Sequence, residues 1–128
     1  MPHFIVEYSA NIENSIDMSQ LCELIRATAV KIDALPMPGI RVRAIKVDYY
    51  AIADGNPAHA YIDVSVRLRG GRSMDVRKAA TQTLFDAIKI FLEPVMAERS
   101  LALSFEMRDI DPELSPKCGS IREYLPEN

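Results

Sequence analysis

His3-Phe4-Ile5-Val6-Glu7-Tyr8-Ser9, which follows Met1-Pro2, returns in altered form at His59-Ala60-Tyr61-Ile62-Asp63-Val64-Ser65. Each stretch alternates apolar with polar or smaller residues and is rich in β-branched and aromatic side chains, the pattern of a strand with one buried face. Phe4, Val6 and Tyr8 share a face of the first, and Ile62, Val64, Val66 and Leu68 share a face of the third strand of the chain, predicted over 59–68. The step from His3 to His59 is 56 residues, and the step between the two predicted helix caps, Asp17 and Ser73, is again 56. Two equal offsets reached by different criteria indicate an internal repeat.

Working outward, Asp17 has Gln20 three residues on as a capping-box partner, and Leu21, Leu24, Ile25, Thr28 and Ile32 form the apolar stripe of a helix ending near Asp33. Leu35-Pro36-Met37-Pro38-Gly39 cannot continue it, because proline removes a donor and holds its predecessor extended. A second strand spans 41–50, and Asp54-Gly55-Asn56-Pro57 marks a turn before the third. Gly70-Gly71-Arg72-Ser73 opens a longer helix, with Asp75 at the positive end of its dipole and Val76, Ala80, Leu84, Ala87, Ile88, Phe91 and Leu92 on its buried face. Pro94 is predicted to kink or end it, with Met96 and Ala97 able to add a turn. Leu101, Leu103, Phe105 and Met107 alternate along a fourth strand. From Asp109 the chain is punctuated by prolines, with one helical turn at Ile121 to Leu125.

The chain therefore reads as one α+β domain over 1–128, with repeat halves of about 1–56 and 57–110 and a tail over 111–128. Each half is a β-α-β unit, whose parallel strands need a right-handed crossover. Two units side by side give a four-stranded mixed sheet with both helices on one face. The other face carries apolar and aromatic side chains and has only the tail to cover it. A homo-oligomer with sheet faces turned inward is the expected solution.

Composition excludes several classes. A hydrophobic fraction of 48%, a charged fraction of 26% and a net charge of −3 describe a globular protein without the basic excess of a nucleic-acid binder. No apolar run is long enough to span a bilayer, and Glu7 and Glu13 interrupt any signal-peptide core. Cys22 and Cys118 are far apart and read as unpaired thiols of a reducing cytoplasm. With His3 and His59 as its only histidines the chain is expected to hold no metal, and no cofactor motif is present.

Pro2 leaves two readings open. It is a residue that tolerates a chain end, or, once Met1 is removed, a secondary amine at the head of a strand that can accept a proton. Arg41 and Arg43 project from one face of the second strand, and Arg72 precedes a helix N-terminus, where free N–H groups favour an anion. By themselves these arginines also fit a solvated strand end and a glycine turn into a capped helix. His3 alternates away from Pro2, and Tyr8, Tyr49, Tyr50 and Tyr61 fit packing roles.

Five short blocks in order carry a resemblance: Met-Pro-His-Phe-Ile-Val-Glu at the start, Pro-Gly-Ile-Arg-Val-Arg at 38–43, Ala-Asp-Gly at 53–55, Gly-Arg-Ser at 71–73 and Leu-Ala-Leu-Ser-Phe-Glu at 101–106. Together they resemble the 5-carboxymethyl-2-hydroxymuconate isomerase family of the tautomerase superfamily. The likeness runs through nearly the whole chain and is weakest over 10–35 and after 109. It implies a homotrimer of double β-α-β subunits, working without a cofactor on a small polycarboxylate that arises in the degradation of homoprotocatechuate. It places the family's acid–base proline on Pro2 and its substrate-orienting arginines on Arg41 and Arg72, with Arg43 beside the first. Two other readings stay open: a superfamily relative acting on another unsaturated carboxylate, and a non-catalytic oligomer that binds carboxylates.

Overall fold

The computed structural model describes residues 1–126. Its elements are β1 (His3–Ser9), α1 (Met18–Val30), β2 (Arg41–Val47), β3 (Ala60–Arg69), α2 (Met74–Glu98) and β4 (Leu101–Ile110), with short 3-10 turns at Ala10–Ile12, Met37–Gly39 and Ile121–Tyr124. The strands form one four-stranded sheet in the order β2-β1-β3-β4. β1 pairs with β2 in parallel and β3 with β4 in parallel, while β1 and β3 meet antiparallel at the centre with Val6 opposite Val64. This is the mixed sheet that the repeat predicts.

The alternation seen in the sequence becomes the core. Phe4, Val6, Ile62, Val64, Val66 and Leu68 are buried against Leu21 and Ile25 of α1 and Leu84, Ile88 and Leu92 of α2. Strands and both helices share one apolar cluster, so the helices lie on the same face of the sheet. Each large side chain buried there contributes roughly 1.5–3 kcal/mol. Both predicted caps form. The Gln20 backbone N–H donates to Asp17 Oδ1 at 3.2 Å, and that of Val76 donates to Ser73 Oγ at 3.2 Å.

Three details differ from the sequence reading. β2 stops at Val47 rather than at position 50, and β4 runs on to Ile110. α2 passes through Pro94 without ending. Pro94 is exposed, whereas Leu92, Val95 and Met96 on the adjoining face pack on the core. Burial of that stripe outweighs the one hydrogen bond that proline deletes.

Polar clasps fix the loops at one end of the sheet. The buried Ser9 hydroxyl donates to Asn11 Oδ1 at 2.7 Å and accepts the Tyr61 N–H at 2.9 Å. Asn11 Nδ2 donates to the His59 carbonyl at 2.7 Å. The His59 ring lies between Ser100 Oγ at 2.7 Å and Asp54 Oδ1 at 2.8 Å, which ties the turn before β3 to the α2–β4 junction. Arg99 Nη1 donates to the Asn11 carbonyl at 2.9 Å, anchoring the end of α2.

The sheet face away from the helices carries His3, Ile5 and Glu7 of β1, Arg41, Arg43 and Ile45 of β2, and Tyr61, Asp63 and Ser65 of β3. Tyr61 donates to Glu7 Oε2 at 2.8 Å and Ser104 to Asp63 Oδ1 at 2.6 Å. Partial burial and the Glu7 carboxylate push the Tyr61 phenol up to about 12. The tail lines cavities at the Met1 end of this face and leaves Leu114 and Tyr124 80% and 83% exposed. Among the described residues no helix is long and apolar enough to cross a membrane.

Candidate active site

The start of the chain is held by the loop that leads into β2. The Arg41 N–H donates to the Pro2 carbonyl at 3.2 Å, extending the β1–β2 ladder by one bond. Gly39 allows the close approach. A Cβ there would lie 3.1 Å from Met1 Cα and 3.2 Å from Pro2 Cδ, tighter than side-chain packing normally reaches. Pro2 is buried, with Met1 ahead of it.

Met1 stands between two cavities. The first, of about 260 Å³, is lined by Gly39, Arg41, Lys117, Ile121 and Arg122 as well as Met1. The second, of about 480 Å³, is lined by Met1, His3, Arg67, Arg69, Pro116 and Lys117. Five cations therefore border this end of the molecule: Arg41, Arg67, Arg69, Lys117 and Arg122. Among the described residues none of the five is paired with a carboxylate.

The electrostatic consequence falls on the N-terminal amine. Burial lowers its pKa first, and the positive charges of Lys117, Arg72, Arg41 and Arg69 lower it further. Both causes disfavour the ammonium form. His3 feels the same field. Burial, then Arg67, Arg41 and Arg43, bring its pKa down to about 4, so its ring is neutral at neutral pH.

The arginines singled out in the sequence have separate positions. Arg41 lines the first cavity. Arg72 is close enough to act on the amine, but it is held by backbone carbonyls: Nε donates to Ala34 O at 2.7 Å and Nη1 to Arg69 O at 2.8 Å. Its guanidinium thus joins the loop after α1 to the end of β3. Arg43 lies on the open sheet face with Nη1 3.4 Å from His3 Nδ1, and it lines neither of the two cavities beside Met1. Gly71, with φ of 119°, adopts the left-handed conformation that lets the chain turn into Arg72.

Lys117, Arg122, Arg67 and Arg69 were not singled out in the sequence. Arg67 was legible as a β3 side chain on the face of Tyr61, Asp63 and Ser65, the face that pairs with His3, whereas Arg69 lies just beyond the strand predicted over 59–68. The two tail residues carried no periodic signal, because their place depends on how an irregular segment folds back.

Residues 2–125 match the family model described as 5-carboxymethyl-2-hydroxymuconate isomerase. The chain is 36% identical over 121 residues to the 5-carboxymethyl-2-hydroxymuconate Delta-isomerase of Escherichia coli, a match that covers 94% of this chain and 96% of that protein. A crystal structure of a 5-carboxymethyl-2-hydroxymuconate delta-isomerase superposes with a TM-score of 0.90 at 26% identity, covering all 100% of this chain and 95% of the other. The 5-carboxymethyl-2-hydroxymuconate isomerase from Deinococcus radiodurans R1 gives 0.89 at 27% identity, covering 98% and 95%.

Proposed function

This chain belongs to the 5-carboxymethyl-2-hydroxymuconate isomerase family, and from that premise we propose that it converts 5-carboxymethyl-2-hydroxymuconate into 5-carboxy-2-oxohept-3-enedioate through the amine of Pro2. The reading is carried by one observation above all. Five cations that, among the described residues, have no carboxylate partner border the N-terminus of a protein whose net charge is −3. Such a cluster is self-repelling unless an anion completes it, and the substrate named by the family carries three carboxylates around a dienol.

Removal of Met1 takes away one of the two residues that line both cavities and leaves the Pro2 nitrogen as a free secondary amine beside them. That nitrogen inherits the burial and positive field that already depress the Met1 amine, and both favour its neutral, basic form. The neutral amine takes the proton of the 2-hydroxyl group. The oxygen electrons form the carbonyl, the double bonds shift along the chain, and the far carbon takes a proton from the prolinium. Charge builds on the oxygen and along the conjugated system during the transfer. Arg41, which lines the first cavity, binds a substrate carboxylate and stabilises that charge. Arg72 contributes at longer range through its positive field and holds the walls together through its two carbonyl bonds. The reaction sits in the catabolism of aromatic acids, and the assembly is a homotrimer in which the open sheet faces turn inward.

The direct test is an assay of the Met1-free protein with 5-carboxymethyl-2-hydroxymuconate, following loss of the dienol absorbance. Turnover well above the uncatalysed rate is expected. A rate equal to the uncatalysed one would overturn the assignment. Turnover of other unsaturated acids at higher kcat/KM would point instead to a related substrate.

The Gly39 contact gives a further prediction in the same assay. Gly39→Ala places a methyl group 3.2 Å from Pro2 Cδ and forces the proline to move. In the Met1-free protein kcat is expected to fall roughly tenfold, because small displacements of a reacting group are costly, while circular dichroism stays unchanged. Full activity in this variant would show that the Pro2 position is not critical.

A further inference from the structure

We propose that Lys117, in the C-terminal tail, is a substrate-binding residue whose ammonium holds a carboxylate of a polyanionic substrate at the junction of the two cavities. For its substrate this rests on the isomerase reading above; for its geometry it does not.

Lys117 is the one Lys or Arg residue, among the described residues, that lines both cavities. Arg41 and Arg122 belong to the first alone, and Arg67 and Arg69 to the second alone. Among the described residues the Lys117 side chain meets no carboxylate within salt-bridge distance. Its backbone is slung between two anchored turns. On one side, Asp111 accepts the Glu113 N–H at Oδ1 (2.9 Å), while its carbonyl accepts the Ser115 hydroxyl (2.6 Å). On the other, the Glu123 N–H donates to the Ser120 carbonyl at 3.0 Å at the start of the 3-10 turn. Pro116 stiffens the approach immediately before Lys117.

The chemistry suits this position. A lysine is a compact charge on a flexible stem, able to follow a carboxylate to either side of the N-terminus, whereas each of the four arginines lines one cavity alone. A ligand with three carboxylates would place one near Arg41 and Arg122, one near Arg67 and Arg69 and the third on Lys117, with its chain passing beside Pro2. The field is consistent with that placement: of the cations acting on the N-terminal amine, Lys117 lowers its pKa most, ahead of Arg72, Arg41 and Arg69.

The test uses the Met1-free full chain as wild type, Lys117→Met and Lys117→Arg. Calorimetric binding of propane-1,2,3-tricarboxylate, an unreactive probe, is compared with binding of propionate. Lys117→Met is expected to weaken the tricarboxylate about tenfold or more and to change propionate binding little, and Lys117→Arg is expected to recover most of the loss. In the same proteins the 15N resonance of Pro2 reports its titration, and the midpoint should move upward in Lys117→Met and return in Lys117→Arg. Tricarboxylate binding unchanged by Lys117→Met overturns the proposal, as does a wild-type protein that does not bind the probe. Neither readout needs turnover. Failure of the isomerase assay with these results intact would remove the substrate assignment and leave Lys117 as an anion-binding residue.

Discussion

A preparation that keeps Met1 is expected to turn over 5-carboxymethyl-2-hydroxymuconate at no more than about a thousandth of the rate of the form that begins at Pro2. The two differ in one residue, but that residue decides whether the Pro2 nitrogen is an amide or an amine. An amide nitrogen has its lone pair delocalised into the carbonyl and cannot serve as a base near neutral pH. Met1 also lines both cavities, so it occupies the space where a substrate spanning them would pass Pro2. Neither effect involves the core, because Phe4 and Val6 are buried in an apolar cluster to which Met1 does not belong. Thermal midpoints of the two forms should therefore agree within a few degrees. The comparison needs intact mass, kcat and a melting curve on each form. Pro2→Ala is the companion variant. It keeps an N-terminal amine but replaces the secondary amine with a primary one on a less constrained residue, and a loss of about a hundredfold is expected. Equal activity with and without Met1 would eliminate the proline base, whatever the substrate.

Much of this arrangement was legible in the chain, for physical reasons. Alternation in β1 and β3 identifies a sheet face because side chains in a strand have period two, and Phe4, Val6, Ile62 and Val64 are indeed buried together. Asp17 and Ser73 cap their helices because each offers a side-chain oxygen to a free N–H in the first turn. What the sequence obscured lies where a local rule met a non-local one. Pro94 was read as a kink or an end, since proline deletes a helical hydrogen bond. The apolar stripe through Leu92, Val95 and Met96 was the competing signal, and it prevailed because those residues reach the core.

The site shows the same division. Arg41 could be placed because strand alternation fixes its face and the proline-rich loop fixes the start of β2. Arg72 was read as a ligand for substrate, and its partners, the carbonyls of Ala34 and Arg69, could not be seen, one of them being 38 residues away in sequence. Lys117 lies in a segment with no periodic pattern, held by turns at Asp111 and Ser120 that carry no core side chain. Irregular segments acquire position from what they fold against, so composition alone does not say where their charges will be.

Ile45→Asp is expected to convert the proposed trimer into monomer, because Ile45 lies on the uncovered sheet face. Ile45 is 48% exposed in the single chain and sits on β2 opposite Glu7, on the face away from the helices. In an isolated subunit a carboxylate there would stay hydrated, and the cost to folding should be within about 0.5 kcal/mol. In a trimer with sheet faces inward the same carboxylate would be buried beside Glu7, at a cost of roughly 2–3 kcal/mol or more. Three subunits bring three such penalties, so assembly should weaken by about 6–9 kcal/mol, a factor of more than about 10⁴. That is enough to dissociate an assembly stable at micromolar concentration. Ile90→Asp is the control, since Ile90 is 65% exposed on α2, in the helical layer on the other side of the sheet. Sedimentation velocity at micromolar concentration should find trimer for the wild type and Ile90→Asp and monomer for Ile45→Asp. A wild type that sediments as monomer would show that the open face needs no cover. Loss of the trimer in both variants would show that exposed apolar residues in general, rather than this face, hold the subunits together.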